Sequence, residues 1–297
     1  YLVNLILQIE IIRGPGSVLY GTNAFSGVIN IVTKQPEEPA EFQIETKYGS
    51  YQTKEVDITG GAFFEDFRFM GALNTHHSDG DSFTNTTGEL GPDGNYETGK
   101  KSAELVAQSQ YKQLNINIII NKIEQKAGNN LLTFPSEYWT IERRFIDMGY
   151  RVNLNEHWHL QTNITYNGMN NTAGIIGGTG RFFTTKSRGY LGELSLHGNV
   201  NENTDIVIGG VYDWLKGNNV SDGTRNTDID TWRSSFYSQV DYRVNHWLKL
   251  NGGLQLNKPE GGDNDIAPRV ASIITFNNNY VLKLMYDEAY RSPFGLD

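Results

Sequence analysis

The chain has 297 residues, enough for one or two domains, and its 25 Lys and Arg against 34 Asp and Glu give a formal net charge of -9. A nucleic-acid partner requires a basic face, so this acidic balance argues against nucleic-acid binding. The chain has no cysteine, which excludes a disulfide framework and a thiolate metal site.

The hydropathy of the chain excludes a transmembrane helix but leaves one class of membrane protein open. Mean hydropathy is -0.48, and no stretch approaches the roughly 18 apolar residues that a membrane helix needs. A transmembrane barrel shows only every second residue to lipid, so its mean hydropathy stays low. The 32 glycines and the 12% aromatic residues are typical of proteins with many β-strands.

The first 35 residues predict a compact strand–turn–strand unit of mixed α/β character. Ile9 to Ile12 is a short apolar run that is typical of a buried strand. Arg13-Gly14-Pro15-Gly16 breaks this strand, and its proline favours a helical turn over Ser17 to Tyr20. Gly21 suits the position just past that turn, and Gly27 to Lys34 indicates a second strand.

A polar linker separates this unit from the rest of the chain. Residues 36–40 carry two prolines and two glutamates, so we expect a first unit over 1–35 and a second over 41–297. From residue 41 onward, apolar and polar residues alternate with a period of two, which predicts β-strands. The roughly thirteen predicted strands cover residues 41–48, 51–59, 67–75, 101–112, 114–122, 145–154, 157–168, 190–200, 205–215, 232–244, 247–256, 268–276 and 280–286.

The order of turns and loops favours an antiparallel transmembrane barrel. Short Asn-rich turns alternate with long loops, as they do at the periplasmic and extracellular ends of such a barrel. Strands of about 9–11 residues suffice to cross the membrane at a tilt, and closure is needed because lipid cannot satisfy an open sheet edge. The predicted long loops cover residues 77–99, 125–143, 169–187, 216–231 and 257–266.

The alternation within the strands leaves a soluble β-sandwich open as a second interpretation. In the strand from His157 to Gly168 the even-numbered residues are largely apolar, as Leu160 and Ile164 are, and the odd-numbered ones are polar. A sandwich buries such apolar faces in pairs, whereas a barrel in lipid requires the even-numbered faces to be apolar in all strands. The polar residues are rich in amides and often small, which favours a hydrated lumen.

The N-terminal stretch resembles a known family. Residues 9–34, IEIIRGPGSVLYGTNAFSGVINIVTK, resemble the end of the plug domain of TonB-dependent outer-membrane receptors. Ser26 stands where the family often has a second glycine. The resemblance implies that Arg13 and its neighbours couple plug and barrel. Our hypothesis is that Arg13 pairs with carboxylates of the lumen, and an arginine that is satisfied locally within the turn is the alternative. The motif positions that carry the match include Arg13, Gly14, Pro15, Gly21 and Gly27.

A second stretch near the C-terminus resembles a barrel region of the same family. Asp265-Ile-Ala-Pro-Arg269 and Tyr286-Asp-Glu-Ala-Tyr-Arg-Ser-Pro293 follow that pattern, with Tyr290 and Ser292 in place of the commoner Phe and Ala. The resemblance implies that further strands follow this region in the whole receptor. The motif residues are Pro268, Arg269, Tyr290, Arg291 and Pro293.

Together the two resemblances imply an all-β transmembrane fragment: a small α/β remnant of the plug, then about 13 strands of a barrel that has roughly 22 in this family. They imply a receptor in the outer membrane of a Gram-negative bacterium that imports an iron–siderophore or similar metal chelate, energised by TonB through a preceding segment. A haem, cobalamin or glycan receptor of the same fold remains an alternative, as does a soluble β-rich surface-binding protein. No catalytic constellation is visible, so we do not expect an enzyme.

Candidate ligand-binding residues lie in the predicted outer loops. Phe134, Tyr138 and Trp139 could hold an aromatic or catecholate ligand, although packing of the loop on itself or on lipid headgroups is the favoured explanation. His77, beside His76 at the start of an outer loop, could contact haem or a ferric ligand, but adjacent strand residues point to opposite faces, which argues against this role. His157 and His159 share one face beside a short turn, where a solvated role or a place in the girdle at the membrane boundary is expected.

We expect no resident cofactor. Acidic residues recur in the outer loops, and calcium prefers several such oxygens. Their spacing fits no fixed loop motif, so a solvated acidic rim is the expectation. These residues are Asp79, Asp81, Asp222, Asp228, Asp230, Asp263 and Asp265.

Overall fold

A computed structural model describes residues 3–13, 27–85, 94–126, 136–175, 182–221, 224–276 and 280–288. A 3-10 turn at Val3–Leu5 precedes the strands. The strands are β1 (Ile6–Arg13), β2 (Gly27–Thr33), β3 (Ala40–Gly49), β4 (Thr53–Phe64), β5 (Phe67–Ser78), β6 (Ser82–Asn85), β7 (Gly94–Glu97), β8 (Lys100–Tyr111), β9 (Leu114–Gln125), β10 (Ser136–Asn153), β11 (Trp158–Ile175), β12 (Phe182–Asn201), β13 (Thr204–Ser221), β14 (Thr224–Arg243), β15 (Leu248–Pro259), β16 (Asp265–Phe276) and β17 (Tyr280–Asp287).

Within these residues, thirteen strands form one antiparallel sheet in the order β17-β16-β15-β14-β13-β12-β11-β10-β9-β8-β5-β4-β3. Each strand pairs with its neighbour in the chain, except where the separate hairpin β6–β7 is inserted between β5 and β8. The predicted strand number is therefore confirmed. One continuous sheet also argues against the sandwich, which would need two sheets packed face to face.

The N-terminal segment forms a hairpin that packs on one face of this sheet. Strands β1 and β2 pair antiparallel, and Leu5, just before them, is 1% exposed in a cluster with Met70, Ala72 and Val106. Thr33 donates a hydrogen bond to the side chain of Gln108 at 2.7 Å. We call the face that receives this hairpin the inner face. The predicted helical turn at 17–20 lies outside the described residues.

The two faces of the sheet differ in chemistry. On the outer face large apolar side chains are exposed, with Ile164 64% and Leu194 52% exposed. The inner face carries polar side chains that are buried, among them Asp57, Gln239 and Gln255. This is the reverse of a water-soluble protein, in which apolar side chains are inside, and it suits a sheet whose outer face meets lipid.

The expectation that even-numbered residues face outward in every strand is wrong for two strands. In β5 and β8 the exposed apolar residues are odd-numbered: Phe69, Leu73 and Leu105. The cause is the two-residue turn that precedes β5, which pairs Phe64 with Phe67 and so reverses the parity of the facing residues. A second two-residue turn after β8 pairs Tyr111 with Leu114 and restores it.

Five central strands are longer than the predicted 9–11 residues. Strands β10, β11 and β13 have 18 residues each, and β12 and β14 have 20. Most of the predicted loops 169–187 and 216–231 is therefore strand. Beyond the apolar part the facing residues become polar on both sides, so the period-two signal fades, but the ladder continues through pairs such as Thr172 with Thr184.

Candidate functional site

The ends of the strands are of two kinds. At the turn end, adjacent strands join through short connections at 65–66, 112–113, 154–157, 202–203 and 244–247. At the loop end lie the longer connections, including the one that contains β6 and β7. The long connections gather at one end, as the sequence predicts, although the turn between β3 and β4 at that end is short.

Outer-face aromatic side chains form a row toward each end. Near the loop end, Tyr166 and Tyr190 have ring centroids 5.3 Å apart, Tyr190 and Trp214 5.6 Å, and Tyr212 and Trp232 6.0 Å. Trp232 and Tyr242 are ten residues apart on β14, roughly 33 Å along the strand and roughly 25 Å in height at the usual tilt. The row near the turn end includes Tyr111, Tyr150, Trp158 and Tyr242.

The space between these rows, which we call the apolar band, has the height of a lipid-facing barrel surface. Charged outer-face residues lie beyond it at the loop end. Lys122 is 2.8 Å from Glu124, and Lys216 is 3.1 Å from Asp230. The indole N–H of Trp214 donates to Asp230 at 2.7 Å, and this bond, together with Lys216, lowers the pKa of that exposed carboxyl below its ordinary value.

The inner face inside the band is a polar wall. Asp147 accepts hydrogen bonds from Asn163 at 2.6 Å and Thr165 at 2.7 Å, and from Asn117 at 3.4 Å. Tyr237 donates to Glu193 at 2.5 Å. Such a surface of carboxylates, amides and hydroxyls suits a hydrated path along the inner face of the sheet.

At the loop end, the inner face carries an aromatic and cationic patch. Trp139 pairs with Ala173 on β11, which pairs with Phe183 on β12, so the two aromatic residues lie two strands apart in one row. The indole N–H of Trp139 donates to Asn171. Arg143, four residues further along β10 on the same face, is exposed. We call Trp139, Arg143, Asn171 and Phe183 the vestibule wall.

The structure places the predicted ligand residues in different surroundings. Trp139 is on the vestibule wall, Tyr138 is in the same strand, and Phe134 lies outside the described residues. His77 lies on the outer face, opposite Lys101, with its Nε2 3.2 Å from Asp79. It lines a cavity of about 700 Å³ at the loop end. His76 faces inward instead, 3.0 Å from Glu55.

The motif residues are only partly described. Arg13 ends β1, opposite Gly27, whereas Gly14, Pro15 and Gly21 lie outside the described residues. The pairing of Arg13 with carboxylates of the lumen stays a prediction. In the C-terminal motif, Arg269 lies 3.3 Å from Asp287 on the neighbouring strand, and the carbonyl of Pro268 accepts from the N–H of Glu288. Tyr290, Arg291 and Pro293 fall outside the described part of the chain.

Sequence reasoning missed Phe183. It lies within a predicted loop, although the Phe and Thr residues in its neighbours RFFTT favour a strand. The register of β10, β11 and β12 brings it beside Trp139. A period-two reading extended backward from Tyr190 would have placed residue 183 on the inner face.

The described ranges contain neither a group of metal-binding side chains nor a helix that could cross a membrane. No three His, Cys, Asp or Glu side chains there are grouped so that they could hold a metal ion. None of the helical segments found there is long and apolar enough to cross a membrane.

No protein-family model matches the sequence. A vitamin B12 transporter of Vibrio vulnificus is 37% identical over 57 residues, which is 19% of this chain and 9% of the transporter.

Solved structures of outer-membrane receptors match almost the whole chain. The ferripyoverdine receptor of Pseudomonas aeruginosa matches with a TM-score of 0.72 at 12% identity, over 98% of this chain and 48% of the receptor. The ferric-catecholate import receptor of Escherichia coli gives 0.75 at 12% identity, over 98% and 60%. The siderophore receptor PiuA of Acinetobacter baumannii gives 0.72 at 10% identity, over 96% and 54%.

The chain thus spans about half the length of the solved receptors that it matches. At these identities the likeness shows the fold, and the resemblance that the two sequence motifs carry is confirmed at that level. The predicted fold class, an antiparallel barrel fragment, is confirmed as well.

Proposed function

We propose that this protein is a TonB-dependent receptor of the Gram-negative outer membrane, which binds an iron–siderophore complex or similar metal chelate and imports it. The observation that carries the proposal is the sheet's inverted polarity with a separate hairpin on its inner face. An apolar outer face suits lipid, and a polar inner wall suits passage of a hydrated solute. The matched structures, which are receptors for ferric chelates, support the same class of cargo.

The contacts of the N-terminal hairpin suit a plug that must move. Among the described residues, it is anchored by Leu5 in its small apolar cluster and by the bond from Thr33 to Gln108. Burial of one leucine contributes about 1.5–3 kcal/mol, and a neutral hydrogen bond about 1 kcal/mol. Contacts of this size hold a segment in place yet yield to a pulling force, as transport energised by TonB requires.

The vestibule wall is our candidate for the first contact with the cargo. Aromatic rings stack on flat ligands, and a guanidinium binds carboxylate or phenolate oxygens by charge-assisted hydrogen bonds. Trp139 and Phe183 supply the rings, and Arg143 supplies the charge. The adjacent amide of Asn171, already bonded to the indole, fixes the orientation of Trp139. We therefore favour an anionic chelate with flat ligand groups.

Uptake by cells tests this proposal directly. Cells that carry the full-length gene are given labelled ferric siderophores, haem, cobalamin and oligosaccharides, with and without functional TonB. Uptake of a ferric siderophore that depends on TonB is the expected result. Binding without energy-dependent uptake would instead indicate a surface-binding protein, and uptake of none of the compounds would overturn the proposal.

Cobalamin is a second candidate cargo. The observation that favours it is the match of 37% over 57 residues to a vitamin B12 transporter. Cobalamin is bulky and bound by broad contacts, so it would depend less on Arg143 than an anionic chelate does. Replacing Arg143 by Gln is expected to weaken binding of an anionic ferric chelate by tenfold or more, and cobalamin binding by little.

The relatives are transporters and receptors, and we propose transport rather than catalysis as the activity. The partners in this proposal are TonB, the lipid of the outer membrane and the chelate itself. Calcium bound by the acidic residues of the loop end remains a hypothesis, which a calcium titration of the purified protein would test.

A further inference from the structure

We propose that Arg151, His159 and His197 form an anion-binding subsite on the inner wall at the turn end, where the imported chelate leaves the barrel. The proposal rests on the transport function proposed above. The ligand group would be an oxyanion of the chelate, such as a carboxylate or a phenolate.

The three side chains lie together on adjacent strands. His159 of β11 pairs directly with His197 of β12. Arg151 of β10 lies two residues from Asn153, which is the residue opposite His159, and therefore on the same face. Trp158, next to His159 in sequence, belongs to the aromatic row at the turn end. The cluster therefore lies on the inner wall at the height where the apolar band ends.

The contact with Arg151 indicates which ring nitrogen of His159 carries a proton. A guanidinium nitrogen of Arg151, Nη2, lies 3.3 Å from Nδ1 of His159. Because guanidinium nitrogens only donate, Nδ1 is the acceptor, and the ring proton is on Nε2. The two imidazole rings are stacked, with centroids 4.6 Å apart and planes inclined by 6°. The cluster therefore combines one fixed positive charge with an imidazole N–H donor.

The surrounding charges leave this positive charge without an acidic partner. Asp147, the nearest inner-face acid along β10, accepts its bonds from amide and hydroxyl groups. Asp205 of β13 accepts a bond from Asn199. In the described part of the chain no carboxylate forms an ion pair with Arg151, His159 or His197. His197 Nε2 is instead 3.0 Å from the hydroxyl of Ser195.

The cluster favours an anion over a metal cation. The guanidinium close to Nδ1 would repel a cation that approached the same imidazole. A carboxylate or phenolate would instead accept charge-assisted hydrogen bonds from the guanidinium and one from the imidazole N–H. The flat face of the stacked rings would also contact an aromatic chelating group.

The position suits the exit of a transport path. Arg143 of the vestibule wall lies on the same strand and the same face, eight residues from Arg151, roughly 26 Å along the strand. An anionic chelate released from the vestibule would thus meet a second cationic group at the opposite end of the wall.

The test uses the full-length protein in lipid nanodiscs, with its histidine rings labelled for NMR. The probe is gallium(III) citrate, a diamagnetic anionic chelate. Its addition is expected to shift the ring nitrogen signals of His159 and His197 in a saturable manner. The variant Arg151→Gln is expected to weaken this response at least tenfold, and His159→Gln to weaken the His197 response. Arg144→Gln, on the same strand but the outer face, is the matched control and should leave the response unchanged.

Neutral gallium(III) maltolate is expected to cause no shift. Ring signals that do not respond to gallium citrate, or that respond equally in the Arg151→Gln variant, overturn the subsite. Uptake separates this failure from that of the proposed function. If the wild type imports its chelate and Arg151→Gln imports it at the same rate, the exit role is wrong. If the wild type imports nothing, the proposed function fails, and the ring titration alone decides whether the anion subsite exists.

Discussion

At the scale of single residues, one glycine shows how closely the inner wall is packed. A Cβ added at Gly209 would lie 2.4 Å from Cζ of Tyr237, whose hydroxyl donates to Glu193. We expect Gly209→Ala to displace the ring and break this bond, and so lower the free energy of unfolding by about 1–3 kcal/mol. Urea unfolding in lipid vesicles measures the change.

The neighbouring residue provides the control for this substitution. At Gly210 a Cβ would meet its nearest atom, a carbonyl oxygen of Ser235, at 3.6 Å, an ordinary contact. Because alanine also loses less backbone entropy on folding than glycine does, by about 0.5–1 kcal/mol, Gly210→Ala should be neutral or stabilising. Equal destabilisation by both substitutions would contradict the account of Tyr237.

Asp230 gives a prediction for the dependence on pH. Its pKa is lowered by the Trp214 indole and by Lys216, so the carboxylate stabilises the folded state at pH values above its ordinary pKa of about 3.9. This stabilisation is lost as the pH falls through the lower pKa of the folded state. Acid titration of tryptophan fluorescence in detergent should show a transition below about pH 3.9.

This transition should be missing in Asp230→Asn and in Trp214→Phe, since each variant removes one partner of the bond. In Lys216→Gln it should move to higher pH, because a cation that favours the carboxylate is gone. A transition that persists in Asp230→Asn would assign it to another group.

At the scale of one strand, β11 tests which face meets lipid. The chain has no cysteine, so a single introduced cysteine is the only reactive thiol. Asn167 is exposed on the inner face and Ile164 on the outer face. In lipid vesicles we expect Asn167→Cys to react with a water-soluble maleimide at least tenfold faster than Ile164→Cys. The two should react alike in urea, and equal rates in vesicles would contradict the assignment of faces.

Strand existence was predictable from the sequence, and strand length was not. The alternation of Leu160, Ile164 and their polar neighbours depends on one face meeting lipid and the other water. Beyond Tyr166 both faces meet water, so the pattern loses its physical cause while backbone pairing continues to Ile175. Phe183 was missed for this reason, because beyond the band the change in polarity no longer marks where the strand ends.

The histidine cluster illustrates the same limit for sites. His157 and His159 are two residues apart, and sequence reasoning places them on one face. The structure leaves His157 exposed in the turn and stacks His159 on His197. That contact depends on the register between β11 and β12, which the hydrophobic pattern of both strands helps to set and which the residues next to His159 do not encode.

At the scale of the whole molecule, the sheet that the described residues form has two edge strands, β3 and β17. In lipid each unpaired backbone group at an edge costs several kcal/mol, so both edges require partners. Pairing of β3 with β17 would not readily satisfy both edges. In an antiparallel sheet of thirteen strands the first and last run in the same direction, and joining them would create a parallel pair in an otherwise antiparallel barrel, with a less stable ladder.

We therefore expect the 297-residue chain, expressed alone in detergent, to associate through these edges into dimers or larger species. Light scattering at several protein concentrations measures the association. The longer receptor proposed above, in which additional strands would cover both edges, should be monomeric under the same conditions and is the control. A monodisperse monomer of the chain alone would mean that β3 and β17 do pair, and a single cysteine in each strand should then form an intramolecular disulfide.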